Sequence, residues 1–182
     1  MYAVLLGIDI EDFSQDTRTD DLLRKRDALS SYLDRALDGY DKFDKDSYVE
    51  GGDGGYFIIQ TGDFEPLLSF VQRLNDEFKR GKTIRARCIL HTGTVNRTPQ
   101  LLSDTAQTFV GEGVNNASRY LNASCLKELL RINPEEYFVF GMSNDFYNKV
   151  YNEPYFRLEE YVRYNFKEKN IIASSTSGTI HT

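Results

Sequence analysis

The sequence predicts an α+β fold, a ferredoxin-like βαββαβ sandwich with strands added at its C-terminal end. Three observations predict this order. The apolar run Tyr2–Ile10 reads as a central strand and meets a carboxylate at Asp9, too soon for a membrane span. Two stretches with helical apolar spacing lie on either side of a pair of strand-like runs. A run alternating basic and apolar residues over positions 83–91 then closes the unit. At 182 residues the chain is long enough for one domain with a real core.

Each element has its own justification. After the first strand, DFSQDTRTDD is polar and offers Thr19 and Asp20 as helix caps. Leu22, Leu23, Leu29, Leu33, Ala36, Leu37 and Tyr40 then recur on one helical face. Residues 42–50 and 56–61 read as strands joined by a glycine-rich bend. Gly62 and Asp63 open a second helix that tolerates Pro66 in its first turn, with Leu67, Phe70, Val71, Leu74 and Phe78 inward. In strand 83–91, Arg85 and Arg87 share one face, Ala86 and Cys88 the other. HTGTVNRTPQ reads as a loop, residues 113–131 as a helix, 137–140 as a strand and Asn144–Val150 as a short helix. Strands at 156–162 and 164–173 complete a single domain, 1–173, and the small polar stretch 174–182 reads as a flexible tail.

Composition narrows the function. The chain is 40% hydrophobic and 27% charged, with a net charge of −6 and no basic stripe. Duplex nucleic acid and anionic membranes are therefore poor partners, and an anionic ligand would need a metal or a few focused cations. Cys88 and Cys125 make no disulfide framework and read as reduced thiols of a cytoplasmic protein.

The most informative stretch is VEGGDGGYFIIQ, in which Asp53 lies between two glycine pairs just before a strand. Asp in a hairpin turn is ordinary turn chemistry. It is also a way to hold a carboxylate out toward a metal. In a βαββαβ sheet the first strand lies beside this hairpin, so Asp9 comes near Asp53, and two carboxylates on adjacent strands can hold two divalent ions.

LLGIDIEDFS and GGDGGYFII resemble the two metal motifs of class III nucleotidyl cyclases. IRARCILHTGTV resembles their next strand, and FVGEGVNNASRY their helix signature Gly-x-x-Val-Asn-x-Ala-x-Arg. The four motifs stand in order over residues 3–120. The resemblance implies a nucleoside triphosphate substrate, closed to a 3′,5′-cyclic monophosphate with release of pyrophosphate. It implies two Mn²⁺ or Mg²⁺ ions held by Asp9, Asp53 and the Ile10 carbonyl. Asn115 would orient the ribose and Arg119 would stabilise transition-state charge. Read without the motif, Asn115 is an amide bonded to backbone and Arg119 a surface ion pair. The turn that includes Phe13 would present N–H groups to the phosphates, although Asp12 stands where the family has Gly. Arg97 is a candidate phosphate cation or a solvated loop residue, and Lys167 and Lys169 are candidates for a late phosphate lysine. His91 reads as structural. The family builds each site from two subunits, which implies a homodimer.

The positions that read purines in this family are Val49 and Thr108 here. Val49 offers no hydrogen bond, and Glu50 points to the opposite face of a regular strand. With Tyr56 as a candidate to fill the base pocket, the chain is similar to the small bacterial pyrimidine cyclases of Pycsar antiphage defence, which use UTP or CTP. A purine cyclase and a silent nucleotide-binding module are the alternatives. The GGDEF hairpin of diguanylate cyclases fits less well, because the bend continues Gly-Gly and VNNASRY is foreign to that family.

Overall fold

The computed structural model describes residues 1–13, 18–39, 47–60, 64–100, 103–150, 162–166 and 169–175. In chain order these form β1 (Tyr2–Ile10), α1 (Thr19–Leu37), β2 (Tyr48–Glu50), β3 (Gly54–Ile59), α2 (Glu65–Gly81), β4 (Ala86–Thr94), β5 (Asn96–Gln100), β6 (Ser103–Val110), α3 (Glu112–Leu121), α4 (Ser124–Ile132), β7 (Phe138–Ser143), α5 (Asn144–Val150), β8 (Val162–Phe166) and β9 (Lys169–Ser175). Seven strands make one sheet of order β2-β3-β1-β4-β7-β9-β8, and β5 and β6 form a separate hairpin. β1 is antiparallel to both β3 and β4, and β3 to β2, which is the expected βαββαβ arrangement. β7 then joins β4 in parallel, and the β8–β9 hairpin extends that edge.

The sheet is buried on both faces because β1 is apolar at nearly every position. Val4, Leu6, Ile8 and Ile10 pack with Leu33 of α1, Phe70, Leu74 and Phe78 of α2, and Phe146 of α5. Ala3 and Leu5 face the other way and pack with Ala117 and Leu121 of α3 and Leu126 and Leu130 of α4. Asp9 follows Leu5 in this alternation, so its side chain belongs to the α3–α4 face.

Several boundaries differ from the sequence expectation, each for a physical reason. β4 starts at Ala86 and runs to Thr94, because it pairs along the whole of β1, from Tyr2–Thr94 to Ile10–Ala86. The expected loop after His91 is therefore partly strand, and its remainder is β5, paired with β6. A two-stranded arm has no second buried face to impose an apolar alternation, so NRTPQ carries no strand pattern. The helix expected over 113–131 is two helices. Asn122 ends α3, its side-chain amide donating to the Ser118 carbonyl at 3.2 Å, and Ala123 is extended. Both halves keep an apolar stripe, so periodicity hides the break. β2 is described only over its last three residues, while positions 40–46 and the expected helix start at 61–63 lie outside the described residues. β7 runs to Ser143 rather than 140. The late strands are β8 and β9, and β9 reaches Ser175, two residues into the expected tail; residues 176–182 lie outside the described set.

Candidate functional site

The site begins at the C-terminal end of β1. Asp9 pairs with Gly54 of β3 on one side and with Arg87 of β4 on the other. The Ile10 amide donates to the Asp53 carbonyl at 2.8 Å, which clamps the β2–β3 turn against β1. Gly54 makes the clamp possible: a Cβ there would stand 1.9 Å from the Ile8 carbonyl oxygen. No other residue lets the turn approach this closely. Asp53 is consequently carried to Asp9, near enough for the two carboxylates to act on each other.

Asp9 is 9% exposed. Burial pushes its carboxyl up to about 6; Arg87 pulls it down, and the neighbouring Asp53 charge adds to the rise. A buried acid beside a second carboxylate is an arrangement a divalent cation relieves. The donors are hard oxygens, as Mg²⁺ and Mn²⁺ prefer, so the pair fits such ions. Among the described residues there is no cluster of three or more His, Cys, Asp or Glu that could hold a metal.

Arg87 is the residue that sequence reasoning missed. An Asp closing a buried strand needs a compensating partner, and the sequence reading assigned that part to a metal. The structure places an arginine there. Arg87 is 7% exposed and its guanidinium bonds Asp9 directly. Its other cross-strand neighbour is the apolar Val139, and its Nε has no hydrogen-bond partner. The available signal was its place on one strand face with Arg85, but only the β1–β4 register reveals what it faces. Arg85 has a different task, bonding Glu11 at 3.0 Å and the carbonyls of Leu130, Asn133 and Glu136, and so tying α4 to the end of β1.

Tyr56 lies beside the carboxylates. Its ring covers Gly7, where a Cβ would be 3.0 Å from it, and its hydroxyl is turned toward Ser118 of α3. Burial first, then the charges of Asp9 and Asp53, raise its pKa against the pull of Ser118. Val49 is directly across from Tyr56 and shares its face. Glu50 is turned the other way, bonded to Arg26 of α1, as the alternation required. Thr108 lies in β6 opposite Thr98. Arg97 is exposed on β5 with its guanidinium 5.9 Å from the Phe109 ring centre. Phe13 is half-buried and packs against the α1–α2 core. Just before it, Asp12 has φ +55°, the left-handed region, which accounts for the family's Gly at that position. His91 is buried with Nδ1 2.9 Å from the Ser143 hydroxyl, a structural role as expected. Lys169 begins β9, and Lys167 lies outside the described residues.

Asn115 and Arg119 are one turn apart on the exposed face of α3, and no described residue hydrogen-bonds or ion-pairs with either side chain. The amide bond that an asparagine could make within the fold is made by its neighbour Asn116, to Glu112 at 3.2 Å. The structure brings Asp9, Asp53, Ile10, Tyr56 and Val49 together, and leaves Asn115 and Arg119 facing outward.

Comparison with solved structures places this architecture. The dimeric guanylyl cyclase domain of the RhoGC fusion protein from the fungus Blastocladiella emersonii superposes with a TM-score of 0.67, covering 95% of this chain and 93% of that one at 16% identity. The guanylate cyclase domain of RhGC from Catenaria anguillulae, in complex with GTP, gives 0.64 over 96% of each chain at 16% identity. The adenylyl cyclase CyaB from P. aeruginosa gives 0.59 over 95% and 92% at 17% identity. The fold is that of nucleotide cyclase catalytic domains. No family model matches the sequence, and no curated protein matches it. The cyclase-domain fold therefore stands on structure, and the assignment of individual residues on the site itself. Among the described residues no helix is long and apolar enough to cross a membrane.

Proposed function

We propose that this chain is a pyrimidine nucleotide cyclase, converting UTP or CTP to the 3′,5′-cyclic monophosphate and pyrophosphate. The observation that carries the reading is the Asp9–Asp53 carboxylate pair, held at the end of β1 and in the turn before β3 of a cyclase-type fold. In the reaction the ribose 3′-oxygen bonds to the α-phosphorus, the bond to the β-phosphate bridge breaks, pyrophosphate leaves and the hydroxyl proton passes to solvent. Asp9, Asp53 and the Ile10 carbonyl would hold two Mn²⁺ or Mg²⁺ ions. When bound, these ions lower the pKa of the attacking hydroxyl and offset the triphosphate charge. The turn at Phe13 and the Arg97 side chain would meet the phosphates. Asn115 orients the ribose and Arg119 stabilises charge in the transition state, both across a homodimer interface.

The pyrimidine assignment rests on Val49 and Tyr56. An apolar side chain at Val49 cannot hydrogen-bond a purine edge, and the Tyr56 ring takes up volume beside it. A role in bacterial antiphage signalling goes with this reading. The purine alternative is favoured by the solved neighbours, whose names are adenylyl and guanylyl cyclases. Incubating the chain with Mn²⁺ and each of ATP, GTP, CTP and UTP, with products identified by mass, decides between them. Cyclic UMP or cyclic CMP, abolished in Asp53→Ala, is the expected result. Cyclic AMP or cyclic GMP supports the purine reading, and nucleotide binding without pyrophosphate release supports a silent module.

A further inference from the structure

The turn that follows β1 is anchored on both sides of one peptide group. The amides of Ile10 and Glu11 donate to the Asp53 and Arg85 carbonyls, each at 2.8 Å. The Phe13 side chain packs on the core that α1 and α2 share. Between these anchors Asp12 takes a left-handed backbone, φ +55°, which turns the chain out of the strand direction. Its carbonyl oxygen accepts from Nζ of Lys25 at 3.3 Å, a contact across 13 residues of chain. Lys25 is half-buried in the second turn of α1. On either side of it, Arg24 and Arg26 ion-pair with Asp21 and Glu50.

The peptide group joining Asp12 to Phe13 is planar and trans, so its C=O and its N–H point in opposite directions. A cation fixed on the Asp12 oxygen therefore fixes the Phe13 N–H on the far side. Among the described residues no backbone carbonyl accepts from that N–H. A carbonyl that accepts from an ammonium group also polarises its own peptide, which makes the N–H a stronger donor.

We propose that Lys25 is a positioning residue for a polyphosphate ligand: by holding the Asp12 carbonyl from behind, it aims the Phe13 N–H at the phosphate oxygens. Lys25 acts through the peptide and does not touch the ligand. Its charge also offsets that of Asp12 at the same turn. This inference rests on the reading that the turn at Phe13 meets the phosphates.

Two measurements test it, and neither needs turnover. The first is the binding of inorganic tripolyphosphate with Mn²⁺, read by titration calorimetry. This probe carries no base, so the result does not depend on which nucleotide the chain prefers. Lys25→Met is expected to bind it about tenfold more weakly than wild type, the effect of misdirecting one hydrogen bond to a charged acceptor. Arg24→Met, which removes the same charge one residue away, is expected to stay within about threefold of wild type. The loss in Lys25→Met should persist in about 1 M NaCl, where charges are screened beyond roughly 3 Å. The second measurement is the amide nitrogen resonance of Phe13 in the ligand-free chain. It should move in Lys25→Met and stay in place in Arg24→Met, which a lysine that only stabilised the helix would not cause. Circular dichroism confirms that both variants are folded. Wild-type binding by a folded Lys25→Met overturns the proposal, as does an equal loss in Arg24→Met, a loss that vanishes in high salt, or an unmoved Phe13 resonance. A wild-type chain that binds no tripolyphosphate overturns the phosphate reading of the turn itself, and the role of Lys25 falls with it.

Discussion

Asp9 is the residue on which the chemistry and the stability of the fold meet. Its folded pKa of about 6 lies above the usual carboxylate value, with burial the first cause. The folded chain therefore binds a proton more tightly than the unfolded chain does. The stabilisation associated with that proton is complete below about pH 4 and is lost as pH rises through about 6, on the order of 2–3 kcal/mol. In EDTA, the melting temperature of wild type relative to Asp9→Asn should fall across this window, and a constant difference would refute the shift. Gly54 is as demanding for a steric reason. Gly54→Ala puts a methyl group into the Ile8 carbonyl and should cost about 3 kcal/mol or more, a fall of about 10 °C in melting temperature. Tyr56→Ala should open the base pocket and raise turnover of ATP relative to UTP by about tenfold or more, read as a ratio of kcat/KM values. Of this residue-scale picture, Asp9 and Asp53 were legible because each is announced by its own neighbours, a buried strand and a glycine bend. Arg87 was not, since its partner is fixed by the register of two strands far apart in the chain.

At the scale of elements, the turn between β1 and α1 is the clearest test of how backbone shape and charge combine. Asp12 holds a left-handed backbone that glycine adopts without strain. Asp12→Gly should leave stability within about 1 kcal/mol of wild type. On the proposed function it also removes a negative charge beside the phosphates, so KM for the triphosphate should fall severalfold. A rise in KM would mean that the Asp12 side chain itself takes part in binding. Strands and helices with a strong apolar pattern, β1, β3, α1 and α2, were legible to within a few residues. The β5–β6 arm and the gap between α3 and α4 were not. The arm gains little from burial, and the gap is made by a single asparagine side chain turning back on Ser118. Neither leaves a periodic trace.

On the proposed function the catalytic groups divide into two half-sites, one at the end of β1 and one on the exposed face of α3. The carboxylates sit together at the end of β1, while Asn115 and Arg119 look outward from α3 without partners among the described residues. A homodimer that lays α3 over its partner's carboxylates would complete two sites by symmetry. Asp53→Ala and Arg119→Ala should each be inactive alone, and an equimolar mixture should recover about a quarter of wild-type activity. Half of the chains in such a mixture pair as heterodimers with one intact site. A mixture that stays inactive would place all catalytic groups in one chain. The fold class was legible from element order, and the split was suggested only by the motif in α3, because no property of a single sequence states which copy a surface faces.

The spacing of the Asp9 contacts along the chain has a consequence for how the protein is made. Asp53 is 44 residues downstream of Asp9, and Arg87 is 78. A chain emerging from the ribosome therefore exposes both acids well before the arginine that neutralises one of them has been synthesised. The sheet cannot bury the bare Asp9 charge cheaply, so the last side of the site to be translated governs when the first two strands can settle.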